Sequence, residues 1–124
     1  MIVLDASALI AHLDADDAQH QRAAERMIEL AEQPLGCSSI TLAEVFVGPA
    51  RAGRLPAAER AVRELGVTEI RVGEGAAPRL AGLRAQTGLK LPDCCVLLAA
   101  QDYGAHAVLT LDDRLGSEAR RLGF

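Results

Sequence analysis

The chain has no tryptophan, one tyrosine and two phenylalanines among its 124 residues. So few ring faces exclude a surface that grips single-stranded nucleic acid by stacking successive bases. They also leave the core to be packed from alanine, leucine and valine. Lysine is nearly absent as well, because Lys90 is the only one and every other basic residue is arginine. With a formal net charge of -4, attachment to nucleic acid through overall charge is excluded. A local rim of arginine forks stays open: Arg51, Arg54, Arg60, Arg63 and Arg71 fall in one stretch, although coding composition accounts for any single one equally well. Three cysteines, two of them adjacent and none in C-x-x-C spacing, exclude a disulfide framework and a zinc site. Cys37, Cys94 and Cys95 therefore read as reduced, small apolar residues. No run approaches the roughly 20 apolar residues that span a bilayer, and the first residues lack the basic leader of a signal peptide. The expectation is a cytoplasmic protein without a membrane partner. Half of the residues are hydrophobic, enough for one core, so residues 1–124 read as a single domain.

Periodicity alternates strands with helices. Ile2-Val3-Leu4 is apolar without alternation, as a strand covered on both faces requires. Asp16 to Gln33 carries Ala23, Met27, Ile28, Leu30 and Ala31 at helical spacing and stops before Pro34. Leu35 to Ser38 is a short strand, and the helix after it, with Leu42, Val45 and Phe46, is expected to break at Gly48-Pro49. A helix over Pro56 to Leu65 precedes an alternating strand over Val67 to Val72. Ala76 to Thr87 is helical up to Gly88, and Pro92 opens a strongly apolar helix that ends at Gly104. Ala107 to Thr110 is a second buried strand, and a last helix runs from Asp113 to Leu122. This order predicts an α/β fold with parallel pairing and right-handed crossovers. No repeat, linker or low-complexity tract interrupts it.

Against this apolar frame, four acids stand out by position. Asp5 marks the carboxyl end of the first strand, with Ser7 suited to cap the helix that follows. That edge of an open α/β sheet is where ligands bind. Glu44 lies in "SSITLAEVF", early in a helix; Asp93 lies in the first turn of "LPDCCVLLAA"; Asp112 follows a buried strand in "VLTLDDRL". Each has a local explanation. Asp5 can simply end its strand or assist the cap, and Thr41-x-x-Glu44 fits a capping box. Asp93 suits a helix N-terminus, where the macrodipole is worth about 0.3–1 kcal/mol, and Asp112 or Asp113 suits a cap. None of these explains why all four fall at one edge of the sheet.

Two carboxylates about 5 Å apart at an effective dielectric near 20 repel by roughly 3 kcal/mol, so several such pairs rival the ~5–15 kcal/mol stability of a domain. Acids packed that way need a cation. Oxygen ligands without a histidine or cysteine cluster suit a hard ion, Mg2+ or Mn2+, which keeps waters and binds phosphate oxygens. Such an ion activates water for attack, and a second one about 3.5–4 Å away stabilises a leaving oxygen. The implied chemistry is phosphodiester hydrolysis.

In their order, "LDAS" (Asp5, Ser7), "TLAE" (Glu44), "LPDCCVLLAA" (Asp93) and "LTLDDRL" (Thr110, Asp112) resemble the PIN-domain ribonucleases, and the compact length resembles the VapC toxins of bacterial toxin-antitoxin pairs. The match covers nearly the whole chain. It implies a three-layer α/β/α fold around a central, mainly parallel sheet, and Mg2+- or Mn2+-dependent endoribonuclease activity leaving 5'-phosphate and 3'-hydroxyl ends. It further implies a homodimer and a cognate antitoxin that blocks the site. By the same resemblance Asp5, Glu44, Asp93 and Asp112 form the catalytic pocket, with metal on Asp5, Asp93 and Asp112. Ser7 and Thr110 then orient a carboxylate, a metal water or a substrate phosphate. The Thr-x-Asp match favours Asp112 over Asp113, which is left as a cap or supporting acid. Two departures stand out: Cys94 and Cys95 replace the family's usual alanine and larger aliphatic residue, and only Gly123-Phe124 follow the last helix, where many relatives carry another strand.

His12 falls on the helix after Asp5 but is expected to be packed or partly exposed, and His20 and His106 read as surface or turn residues. Two other functions compete with hydrolysis. One is a noncatalytic interaction module whose acidic pocket receives a partner's arginine. The other is a phosphoryl-accepting receiver domain, which needs a lysine at the end of a late strand, whereas Lys90 precedes a helix.

Overall fold

A computed structural model describes residues Met1–Phe124. Its four strands are β1 (Ile2–Leu4), β2 (Leu35–Ser38), β3 (Val67–Ile70) and β4 (Ala107–Leu109). They form one sheet in the order β3-β2-β1-β4, with every pair parallel. Ile2 stands opposite Leu35 on one side and Ala107 on the other, so β1 lies at the centre. Parallel strands need crossovers, and the helices supply them. These are α1 (Ala6–Leu13), α2 (His20–Glu29), α3 (Ser39–Arg51), α4 (Leu55–Glu64), α5 (Ala76–Thr87), α6 (Leu91–Asp102) and α7 (Asp113–Arg121).

Successive side chains of a strand point to opposite faces, and β1 shows the consequence. Ile2 and Leu4 pack into a cluster with Leu9, Met27, Leu42, Val45 and Val62 from α1 to α4. Val3 packs into the other cluster, with Leu83, Leu97 and Leu115 from α5 to α7. The result is the expected three-layer α/β/α fold with a parallel sheet. The helix α6 is apolar all round and accordingly buried, with every residue from Cys94 to Ala100 inside. Cys37, Cys94 and Cys95 are free and buried, as read from the sequence. Gly36 lets β2 pass close beneath its neighbours, since a Cβ there would meet Ile70 Cδ1 and Met1 Sδ at 2.7 Å.

Several boundaries differ from the sequence reading. The expected helix over Asp16 to Gln33 contracts to His20–Glu29. Asp14 and Asp17 accept from the amides of Asp16 and Gln19 at 3.0 and 2.8 Å, and these local turns compete with helix before residue 20. The helix α3 does not break at Gly48-Pro49 but continues to Arg51. A proline ring clashes with the Cβ of the residue before it, and Gly48 has none. Val67 to Val72 shortens to β3, ending at Ile70, and β4 ends at Leu109. β4 is the outermost strand on its side of the four-stranded sheet. No helix is long and apolar enough to cross a membrane.

Leu97 is fully buried at the centre of α6. Leu97→Ala is expected to lower the unfolding free energy by about 2–5 kcal/mol, measured by urea denaturation. A loss below about 1 kcal/mol would place α6 outside the core.

Candidate active site

The end of β1 carries its acid straight into a helix. Asp5 is extended, at φ -97° and ψ 174°, and caps α1 with its own side chain by accepting from the Ala8 amide at 3.0 Å through Oδ1. The sequence assigned that cap to Ser7. Instead Ser7 lies inside the first turn, because the acid one residue before the helix already meets its free amides. Ser7 Oγ donates to Asp5 Oδ1 at 2.8 Å and accepts from the Leu111 amide at 3.0 Å. Thr110 Oγ1 donates to Asp5 Oδ2 at 2.6 Å and accepts from the Asp112 amide at 2.9 Å. Two hydroxyls thus lock the β1–α1 junction to the β4–α7 junction. Asp5 is only 4% exposed, and three donors compensate its burial.

Asp112 caps α7, accepting from the Leu115 amide at 3.0 Å through Oδ1, which leaves Oδ2 free of protein donors. Asp93 stands half-buried in the first turn of α6. Glu44 lies in the second turn of α3, exposed. The capping box suggested by Thr41 and Glu44 does not form, because Ser38 starts α3 three residues earlier by accepting from the Ile40 amide. Glu44 is therefore free of any capping duty.

The carboxylates feel one another. Burial pushes the Asp5 carboxyl up against the pull of its donors, and the charge of Asp112 pushes it further. Asp93 is raised by burial and then by Asp112 and Asp5, with Lys90 and Arg114 pulling it back. Glu44 is raised by partial desolvation and then by Asp93 and Asp5. Asp5, Glu44, Asp93 and Asp112 thus share one electrostatic neighbourhood at the carboxyl edge of the sheet. Asp113 begins α7 exposed to solvent and is not among the charges that raise Asp5, Glu44 or Asp93.

No three His, Cys, Asp or Glu side chains are drawn together closely enough to hold a metal ion as they stand. The donor set nonetheless fits a hard divalent cation: all oxygens, with Asp5, Glu44 and Asp93 made more reluctant to ionise by burial and by neighbouring acids, and unspent carboxylate oxygens on Asp93 and Asp112. A cation reverses that reluctance.

Lys90 and Arg114 were not foreseen beside Asp93. Arg114 donates to the Gly88 carbonyl at 3.2 Å, a contact between segments that no local pattern reveals. His12 stacks on His20 with centroids 6.5 Å apart, and His106 bonds the terminal amine of Met1, so none of the three histidines joins the acids.

A parallel sheet clad on both faces, with acids from four segments at its carboxyl edge, defines a class. The chain belongs to the PIN domain family, whose sequence model matches residues 2–120. Among solved structures it is similar to the VapC20 sarcin-ricin loop cleaving toxin of Mycobacterium tuberculosis, with TM-score 0.73, 17% identity and 95% of each chain covered. It is also similar to a toxin-antitoxin complex from Klebsiella pneumoniae, with TM-score 0.68, 25% identity, and 89% of this chain and 97% of that one covered. PAE2754 from Pyrobaculum aerophilum matches with TM-score 0.64, 17% identity, and 96% and 84% coverage. At 17% identity the likeness concerns the fold alone. No curated protein matches the sequence.

Raised carboxyl values favour the folded metal-free protein when the acids are protonated, and that benefit is lost as pH rises above about 4. With metal chelated, Asp93→Asn is expected to melt above the wild type at neutral pH, the difference shrinking towards pH 4. A lower Tm for the variant at pH 7 contradicts the coupling. Thr110→Val leaves Asp5 Oδ2 without its donor and is expected to cost about 1–3 kcal/mol in urea denaturation.

Proposed function

We propose that the protein is a metal-dependent endoribonuclease, the toxin of a toxin-antitoxin pair, which hydrolyses RNA phosphodiester bonds. The observation that carries this reading is the electrostatic coupling of Asp5, Glu44, Asp93 and Asp112 at the sheet edge. Asp5, Asp93 and Asp112 would hold Mg2+ or Mn2+. When bound, the ion supplies a water of lowered pKa and neutralises charge on the phosphate oxygens. Ser7 and Thr110 keep the Asp5 carboxylate in one orientation, spending their hydroxyl protons on it. Glu44 assists from the solvent side as an acceptor of the water's proton. Asp113 is a supporting acid at the start of α7.

Scarce aromatics leave RNA to be recognised by shape and backbone. The reading includes a homodimer acting in the cytoplasm.

A partner protein has its own support. Ile10, Leu13, Val45, Pro49 and Ala58 line an apolar groove of about 600 Å3 between α1, α3 and α4, with Glu44 at its rim. Such a groove suits the apolar face of an antitoxin helix, from which an arginine reaches the acids. Similarity to a structure that is a toxin-antitoxin complex, from Klebsiella pneumoniae, supports an antitoxin as the partner. The same groove favours the second reading, a noncatalytic module that keeps its acids only for a partner's arginine. Catalysis separates the two.

Incubation with structured RNA and Mg2+ is expected to give cleavage that chelation abolishes and that Asp5→Asn reduces by at least about a hundredfold. Millimolar Mg2+ or Mn2+ is expected to raise the Tm of the wild type. Intact RNA with the wild type, or equal cleavage by Asp5→Asn, removes the nuclease reading.

A further inference from the structure

A second hollow adjoins the acids. It encloses about 370 Å3 beside β4, between α2 and α7, and shares Thr110 and Asp112 with the acidic pocket. Its other polar walls are Arg22, Arg26, Arg120 and Asp113. Arg26 is paired with Glu29 at 2.6 Å. Arg22 and Arg120 make no ion pair, and Arg121, not Arg120, takes Glu118. A chain of net charge -4 thus gathers three guanidinium groups around one concavity, two of them without an ion pair, opposite the carboxylates of Asp112 and Asp113.

We propose that Arg22, Arg26 and Arg120 form a phosphate subsite that holds a phosphodiester group of the RNA strand next to the bond being cut. The proposal rests on the ribonuclease reading. A guanidinium fork matches phosphate oxygens bidentately, and unpaired forks have no protein partner to give up first. Asp112 and Asp113 on the shared wall repel a free anion. A phosphate tethered to a strand already bound at the acids arrives at high effective concentration and overcomes that repulsion. The subsite also supplies the grip that three aromatic residues cannot, because backbone contacts position a strand without reading its bases.

The test compares steady-state cleavage of a hairpin RNA by the wild-type chain and by the double variant Arg22→Gln, Arg120→Gln, both with Mg2+. KM is expected to rise about tenfold while kcat stays within about twofold, since the arginines hold substrate and touch no reacting atom. The fall of log(kcat/KM) with log salt is expected to become shallower, and the Arg22→Lys, Arg120→Lys variant is expected to restore the slope. The Mg2+-induced rise in Tm is expected to be unchanged. If the wild type cleaves and the glutamine variant matches it in KM and salt slope, the subsite is wrong and the ribonuclease reading stands. If the variant cleaves normally but loses binding of polyglutamate, the hollow takes acidic peptide instead of RNA. If the wild type neither binds nor cleaves RNA, both readings fall together.

Discussion

Mutual repulsion among carboxylates is the constraint on which the rest of this structure depends. Asp5 is buried beside the charges of Asp93 and Asp112, in a place where a lone carboxylate would be pushed towards its neutral form. Three donors from two junctions hold it instead. The protein has therefore invested hydrogen bonds in fixing the orientation of its most buried acid while leaving Asp93 and Glu44 without such donors. A scaffold serving stability alone would sooner place an apolar residue there, because uncompensated like charges cost more than the cap they replace. A divalent cation turns the same cost into affinity.

The local roles of these acids and their common role coexist. Asp5 and Asp112 are helix caps, and Asp93 is a first-turn acid. Parallel strands all point their carboxyl ends one way, so each following helix begins at the same edge and brings its amide-rich start there. Acids at helix starts thus converge as a by-product of topology, and the proposed function needs only that they stand close enough to share an ion. Glu44 alone lies beyond the first turn of its helix, which makes it the acid that local structure explains least.

Much of the fold was legible in the residues. Continuous apolar strands, the buried α6 and the glycine stops carry signals written within a few positions of each other. The misread boundaries are cases where side chains compete with the backbone over short distances. Asp14 and Asp17 turn the chain before α2, and Gly48 relieves the proline that ought to end α3. Ser7 suits a cap in the sequence because its position relative to the apolar run fits one as well as the position of Asp5 does. A difference of two residues in where a helix starts decides between them, and periodicity does not resolve it.

By itself the sequence determined the alternation of strands and helices, the clothed parallel sheet and the identity of the acids at strand ends, because each follows from neighbours in the chain. Only the tertiary structure decided that Thr110 and Ser7 meet on Asp5, that the charge of Asp112 acts on Asp5 and Asp93, and that Arg22 and Arg120 border the hollow at β4. Those relations join segments up to about a hundred residues apart, as Thr110 and Asp5 show. Their geometry is set by the packing of both helical layers on the sheet, and no local pattern of residue types encodes a distance across that packing.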